Sequence, residues 1–275
     1  MVRMASYAAR WLAAAVFFAA TAASAAQTGG KTEILYLGQS AMRVATPGGK
    51  VILIDPWITG NPKAPEQYKN LDTLGRIDLI LVTHAHGDHL GDSVALANKH
   101  HAPVWGPNGM NATLAALGVL PAELLPRMNK GGTTEPFPGI KITQTHAEHS
   151  SELMHRDAQG KTEILFGGEP VGYIVELENG FRIYHMGDTA LFGDMRLIAQ
   201  RYQPDLVVIP IGGHYTMDPK VAAYATTEYL KSKYAIPVHY GTNPYLKGTP
   251  RQYIEALGNA ATKVFDMNPG DKREF

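Results

Sequence analysis

Residues 79–92 read Leu-Ile-Leu-Val-Thr-His-Ala-His-Gly-Asp-His-Leu-Gly-Asp, and no other stretch limits the fold so tightly. The run Ile77, Leu79, Ile80, Leu81, Val82 is apolar and β-rich, the pattern of a strand buried on both faces. It stops at His84, His86, Asp88 and His89, so four groups able to ligate a metal stand at the C-terminal end of a buried strand. An α/β layered fold places chemistry at such strand ends. Residues i and i+2 of an extended segment point the same way, so His84 and His86 can grip one ion. Asp88 and His89, on the turn that follows, can face a second, and Gly87 lets the backbone bend between the two pairs.

The order His-x-His-x-Asp-His resembles the signature of the metallo-β-lactamase superfamily, which implies a four-layer αβ/βα sandwich with a one- or two-metal centre at one edge. Within that superfamily the chain looks similar to small metal-dependent hydrolases related to L-ascorbate-6-phosphate lactonase. Spacing alone leaves both His146 and His149 open as a third ligand, since each lies at a strand end. Ala147-Glu148-His149-Ser150-Ser151 resembles the Ala-x-His-Ser-Ser of the lactonase-like group and favours His149. By the same resemblance, Asp188 in His185-Met186-Gly187-Asp188-Thr189 takes the bridging position and His239 in Val238-His239-Tyr240-Gly241-Thr242 the last ligand position. The implied set is His84, His86 and His149 for one ion, Asp88, His89 and His239 for the other, and Asp188 between them.

Further expectations follow from the resemblance. Asp55 orients the histidine loop without being a ligand. His185, within its strand three residues before Asp188, reads from its own position as a packed histidine. The loop Gly212-Gly213-His214-Tyr215-Thr216-Met217 lies beside the metals, where His214 donates a hydrogen bond to substrate or to a developing oxyanion. The mouth draws on Trp57, Asn61, Pro62, Pro65, Tyr68, Tyr215 and Tyr240. One departure is plain: many relatives carry Gly-His near the first strand, and this chain has Gly38-Gln39-Ser40, so that histidine's role does not transfer.

No cysteine occurs, so the donors are imidazole and carboxylate, which suit two divalent ions, Zn or Mn. A water between two such ions is deprotonated near neutral pH and attacks a carbonyl or phosphoryl centre, with Asp88 relaying a proton. The expected activity is opening of a lactone or cleavage of an ester or phosphoester. The alternatives are a non-catalytic metal- or ligand-binding protein on the same fold, a β-lactamase or a phosphodiesterase.

The N-terminus carries Arg3 and Arg10, an apolar run from Trp11 to Ala20, and Ala23-Ser24-Ala25. That order predicts a cleaved signal peptide over residues 1–25, a hydrolase domain over 26–275, no stable membrane anchor after cleavage, and a periplasmic or secreted protein. Losing Arg3 and Arg10 leaves 23 basic against 25 acidic residues, so no basic field exists for nucleic acid, and the expected partner is a small-molecule substrate. The oligomeric state is not written in this pattern. Two β-rich halves joined near residue 160 are expected to share one site, which makes one domain the better count.

Overall fold

In the strand Leu79–Leu81 the outer two residues face one way and Ile80 the other, and all three are completely buried. A strand apolar on both faces needs cover on both sides, and the rest of the chain supplies it. The computed structural model describes residues 30–157 and 159–275; the expected leader, residues 1–25, lies outside them.

The first seven-stranded sheet runs Lys272–Glu274, Glu33–Gly38, Ala41–Ala45, Val51–Ile54, Leu79–Leu81, Val104–Pro107, Arg127–Met128. The second runs Lys263–Val264, Tyr234–Val238, Leu206–Pro210, Arg182–His185, Val171–Glu176, Ile140–His146, Thr133–Phe137. Each sheet is antiparallel on one side and parallel on the other.

Three apolar layers follow from the alternation of side chains. Leu79, Leu81, Ile52 and Ile54 of the first sheet meet Tyr173, Val175, Val208 and Ile236 of the second. Ile80, Val82 and Leu53 face outward onto Leu96, Met110 and Leu114 of the helices Ser93–His100 and Asn108–Ala116. Val207, Ile209 and Ala235 face outward onto Met195, Ile198, Ala222 and Tyr253 of the helices Met195–Tyr202, Pro219–Tyr224 and Pro250–Leu257. Helix, sheet, sheet, helix is the expected four-layer αβ/βα sandwich. Each fully buried Leu, Ile or Phe-sized side chain in it contributes roughly 1.5–3 kcal/mol.

Several local readings change. The seam between the halves falls between Met128 and Thr133 rather than near residue 160, and the last strand, Lys272–Glu274, returns to the first sheet. The helix Met195–Tyr202 starts only after Gly193, because Leu191 and Phe192 turn into the third apolar layer ahead of it. The helix Pro219–Tyr224 widens into π geometry at Ala225–Leu230, where Thr226 and Thr227 donate their hydroxyls to the carbonyls of Ala222 and Ala223 and loosen the ladder. Glycine is demanded at Gly91 rather than Gly87. Gly91 has φ +40°, and a Cβ there would lie 2.6 Å from Pro56 O and from Trp57 Cα. That close approach lets Asp92 accept from the backbone of Ile58 and Thr59 and ties the Trp57 loop to the histidine loop.

Candidate metal centre

The strands Val51–Ile54, Leu79–Leu81, Arg182–His185 and Tyr234–Val238 deliver Asp55, the segment 83–89, Asp188 and His239 to one edge of the sandwich. Asp55 fixes the histidine loop. Its Oδ1 accepts from Thr83 N at 2.7 Å, and its Oδ2 accepts from Thr83 Oγ1 and from His89 Nδ1, both at 2.8 Å. His89 therefore turns Nε2 inward. Because the one hydroxyl proton of Thr83 goes to Asp55, His84 Nδ1, 3.1 Å from the same hydroxyl, is the donor and His84 Nε2 keeps its lone pair. His86 donates from Nε2 to Glu152 Oε2 at 2.9 Å, which leaves the Nδ1 lone pair 2.9 Å from His84 Nε2. Two lone pairs facing each other at that distance call for a cation.

Ligand atoms of three sets lie within 4.8 Å of one another: His84, His86 and His149; His84, His89 and Asp188; Asp88, His89 and His239. Asp188 stands between them. Its Oδ2 is 2.9 Å from His239 Nε2 and 3.6 Å from His149 Nε2, and its Oδ1 is 3.3 Å from His89 Nε2. Yet Asp188 Oδ1, His89 Nε2 and His239 Nε2 are buried without an aligned hydrogen bond. Neighbours that are close but out of line point at a common centre instead of at each other. A buried charged group left so costs upwards of about 1–3 kcal/mol, which a bound cation removes. The donor set and these orphaned atoms fit divalent metal.

The electrostatics divide the cluster in two. Burial, with the charge of His89, holds His84 well below the ordinary imidazole range. Burial also lowers His149, despite Asp188. For His89 and His239 burial pulls the other way but is outweighed by the carboxylates, Asp188 foremost; His239 is raised to about 9. Burial is likewise outweighed at Asp188 by His239 and His89, and at Asp88 by His89 and His239, and both carboxyls are held low. Without metal, one end of the site is neutral and the other is a web of imidazolium and carboxylate.

A pH dependence follows. A folded-state value near 9 against an unfolded 6.5 gives His239 a stabilising contribution that is full below pH 6.5 and lost as pH rises through 9. In chelator-stripped protein the loss is on the order of 3 kcal/mol. Urea unfolding at the two ends of that window measures it, and an unchanged or rising stability would contradict it.

A cavity of about 420 Å³ opens onto the cluster, lined by His86, Asp88, His149, Asp188 and His239 together with Trp57 and Tyr215. A larger one, about 590 Å³, lies at the N-terminal ends of the second sheet's parallel strands between Arg196, Asp205, Glu228 and Lys231, and none of the metal-ligating sets is there.

Other expected residues fall elsewhere. His146 is the last residue of its strand and faces Lys130 and Glu148, away from the cluster that includes His149. His214 does not line the cavity: with φ +59° it stacks on Tyr245 at 4.9 Å, and its neighbour Tyr215 takes the cavity wall. Tyr240 packs inward, with its hydroxyl on Met267 O, and Asn61 is buried, bonded to Trp57 O and Lys63 N. His185 is packed as expected, donating from Nε2 to Ser40 O at 2.9 Å. Glu152 on His86 and Thr242 on Gln39 join the site without forewarning, and Gln39, noted in the sequence only as a departure, donates to Asp88 at 2.8 Å.

The family described as "Beta-lactamase superfamily domain" matches residues 50–240. A UPF0173 metal-dependent hydrolase of Polaromonas sp. is 58% identical over 247 residues, covering 90% of both chains. Another, of Cupriavidus metallidurans, is 57% identical over 250 residues, covering 90% of this chain and 86% of the relative. Among solved structures, Igni18, a novel metallo hydrolase from the hyperthermophilic archaeon Ignicoccus hospitalis, superposes with a TM-score of 0.75 at 32% identity, covering 89% of this chain and 98% of the other.

Proposed function

Since the chain belongs to the β-lactamase superfamily, among its UPF0173 metal-dependent hydrolases, we propose that it is an exported enzyme that uses two divalent ions, Zn or Mn, to open a lactone or cleave a related small ester. The observation that carries this reading is the convergence of the three His/Asp sets on one cavity, with buried ligand atoms left unbonded. His84, His86 and His149 would hold one ion, Asp88, His89 and His239 the other, and Asp188 both. When bound, such ions supply Lewis acidity toward a substrate oxygen and toward an attacking water.

The chain's own groups do the rest. Asp88, one-third exposed at the cavity, is placed to take the proton of the attacking water and return it to the leaving oxygen. Tyr215 and Asn243 offer neutral donors at the wall, and Trp57 offers an apolar face. Among the described residues lining the cavity there is no Lys or Arg. A substrate bearing a separate phosphate or carboxylate would find no cation besides the metals, so a neutral lactone or carboxylic ester fits better than a phosphorylated compound.

The test uses enzyme recovered from the periplasmic fraction, whose first residue also reports where the leader ends. Turnover of neutral lactones or esters should vanish on chelation and return with Zn or Mn, while a β-lactam and phosphoesters turn over far more slowly. Equal turnover in stripped protein would defeat the metal mechanism. Preference for a phosphodiester would replace the ester reading, an intact leader on the recovered protein would remove cleavage, and confinement of the protein to the cytoplasmic fraction would remove export.

A further inference from the structure

We propose that Gln39 is the positioning residue of the second metal cage, joining Asp88 to His239, with Thr242 holding the far end of its amide. This rests on the two-ion reading above. Gln39 lies in the turn between Glu33–Gly38 and Ala41–Ala45, buried to 2% exposure, and does not itself belong to any of the ligand sets. Its side chain and its backbone act on different ligands. Nε2 donates to Asp88 Oδ2 at 2.8 Å, and the backbone carbonyl accepts from His239 N at 2.8 Å.

Asp88 and His239 come from loops of opposite sheets, and His239 Nε2 is 3.5 Å from Asp88 Oδ2. Gln39 bonds to both, so it sets their separation across the sheet-to-sheet gap. The orientation of its amide is determined by chemistry: reversed, it would press Oε1 against a carboxylate oxygen. With Nε2 on Asp88, Oε1 is left to accept the Thr242 hydroxyl at 2.5 Å. Gln39 and His239 both adopt left-handed backbone, φ +53° and +58°. That region is unfavourable for an L residue, a strain that persists where surrounding contacts over-determine the position. An amide N–H₂ also stays a donor at any pH and has no lone pair to offer a metal, so it steadies Asp88 without competing for the ion.

The experiment is calorimetric titration of Zn²⁺ into chelator-stripped full-length protein, with His239→Ala identifying the binding step that belongs to the second cage. Gln39→Leu should weaken that step by about 10–100-fold and leave the other within about twofold, as the loss of a group behind a ligand does. Thr242→Val, an isosteric change on a half-exposed loop, should weaken the same step less, and Thr242→Ser should restore it. If Gln39→Leu fails to fold, the Thr242 pair carries the test. Two wild-type steps that weaken together, or not at all, in these variants would overturn the clamp alone. A single wild-type step would overturn the two-ion reading and the clamp with it.

Discussion

Asp188→Asn should reduce turnover by on the order of 10³-fold and leave the protein unable to retain two ions. The size follows from position. Asp188 is 3% exposed and lies within 3.6 Å of imidazole nitrogens of His89, His149 and His239, so its charge acts on both ends of the cluster. Asparagine keeps the shape and removes the charge. It also turns an amide N–H₂ toward nitrogens that need an acceptor, and in metal-free protein His89 and His239 lose the carboxylate that most raises them. Metal content by mass spectrometry and turnover on the same preparation check the expectation together. Retention of two ions with activity within about tenfold of wild type would mean that Asp188 is an ordinary strand-end carboxylate and that the bridging role is wrong.

The parts of this site that could be read in advance are those that lie next to a strand end. His84, His86, Asp88 and His89 follow an apolar run directly, and Asp188 and His239 follow short strands buried on nearly every residue, so the strand ends are legible and the family resemblance assigns the roles. Where chain direction changes within two or three residues, periodicity fails. His146 and His149 differ only by whether the strand or the loop after it reaches the cluster. Tyr215 lines the cavity as expected, but His214 does not: it takes a left-handed backbone, and nothing in Gly-Gly-His-Tyr marks which residue adopts that conformation. Gln39 and Glu152 bond to residues 49 and 66 positions away, and Thr242 to one 203 away, so no local pattern announces them. Glu152 lies on the strand Glu152–Arg156, which pairs with Thr162–Phe166 in a hairpin. Its exposed face bears Met154, Ile164 and Phe166, which blurs the alternation expected of a half-solvated sheet.

Asp55→Ala separates stability from chemistry in a way the ligands do not allow. Asp55 is fully buried and accepts three hydrogen bonds, from Thr83 N, Thr83 Oγ1 and His89 Nδ1. Alanine strands all three donors where water has little access, and one of them belongs to an imidazole whose positive charge is partly answered by that carboxylate. Removing one partner of a buried charged pair costs about 3–5 kcal/mol, so the melting temperature and the denaturation midpoint should both fall sharply. At a temperature where the variant is still folded, His89 is free to rotate and Thr83 no longer has a fixed proton acceptor. Its hydroxyl can then turn toward His84 Nδ1 and disturb the tautomer that presents Nε2. Affinity for metal and turnover should therefore fall by about 10–100-fold in the folded fraction, beyond what unfolding alone removes. A variant that loses stability but keeps wild-type metal affinity and turnover per folded molecule would show that Asp55 supports the fold without orienting the histidine loop.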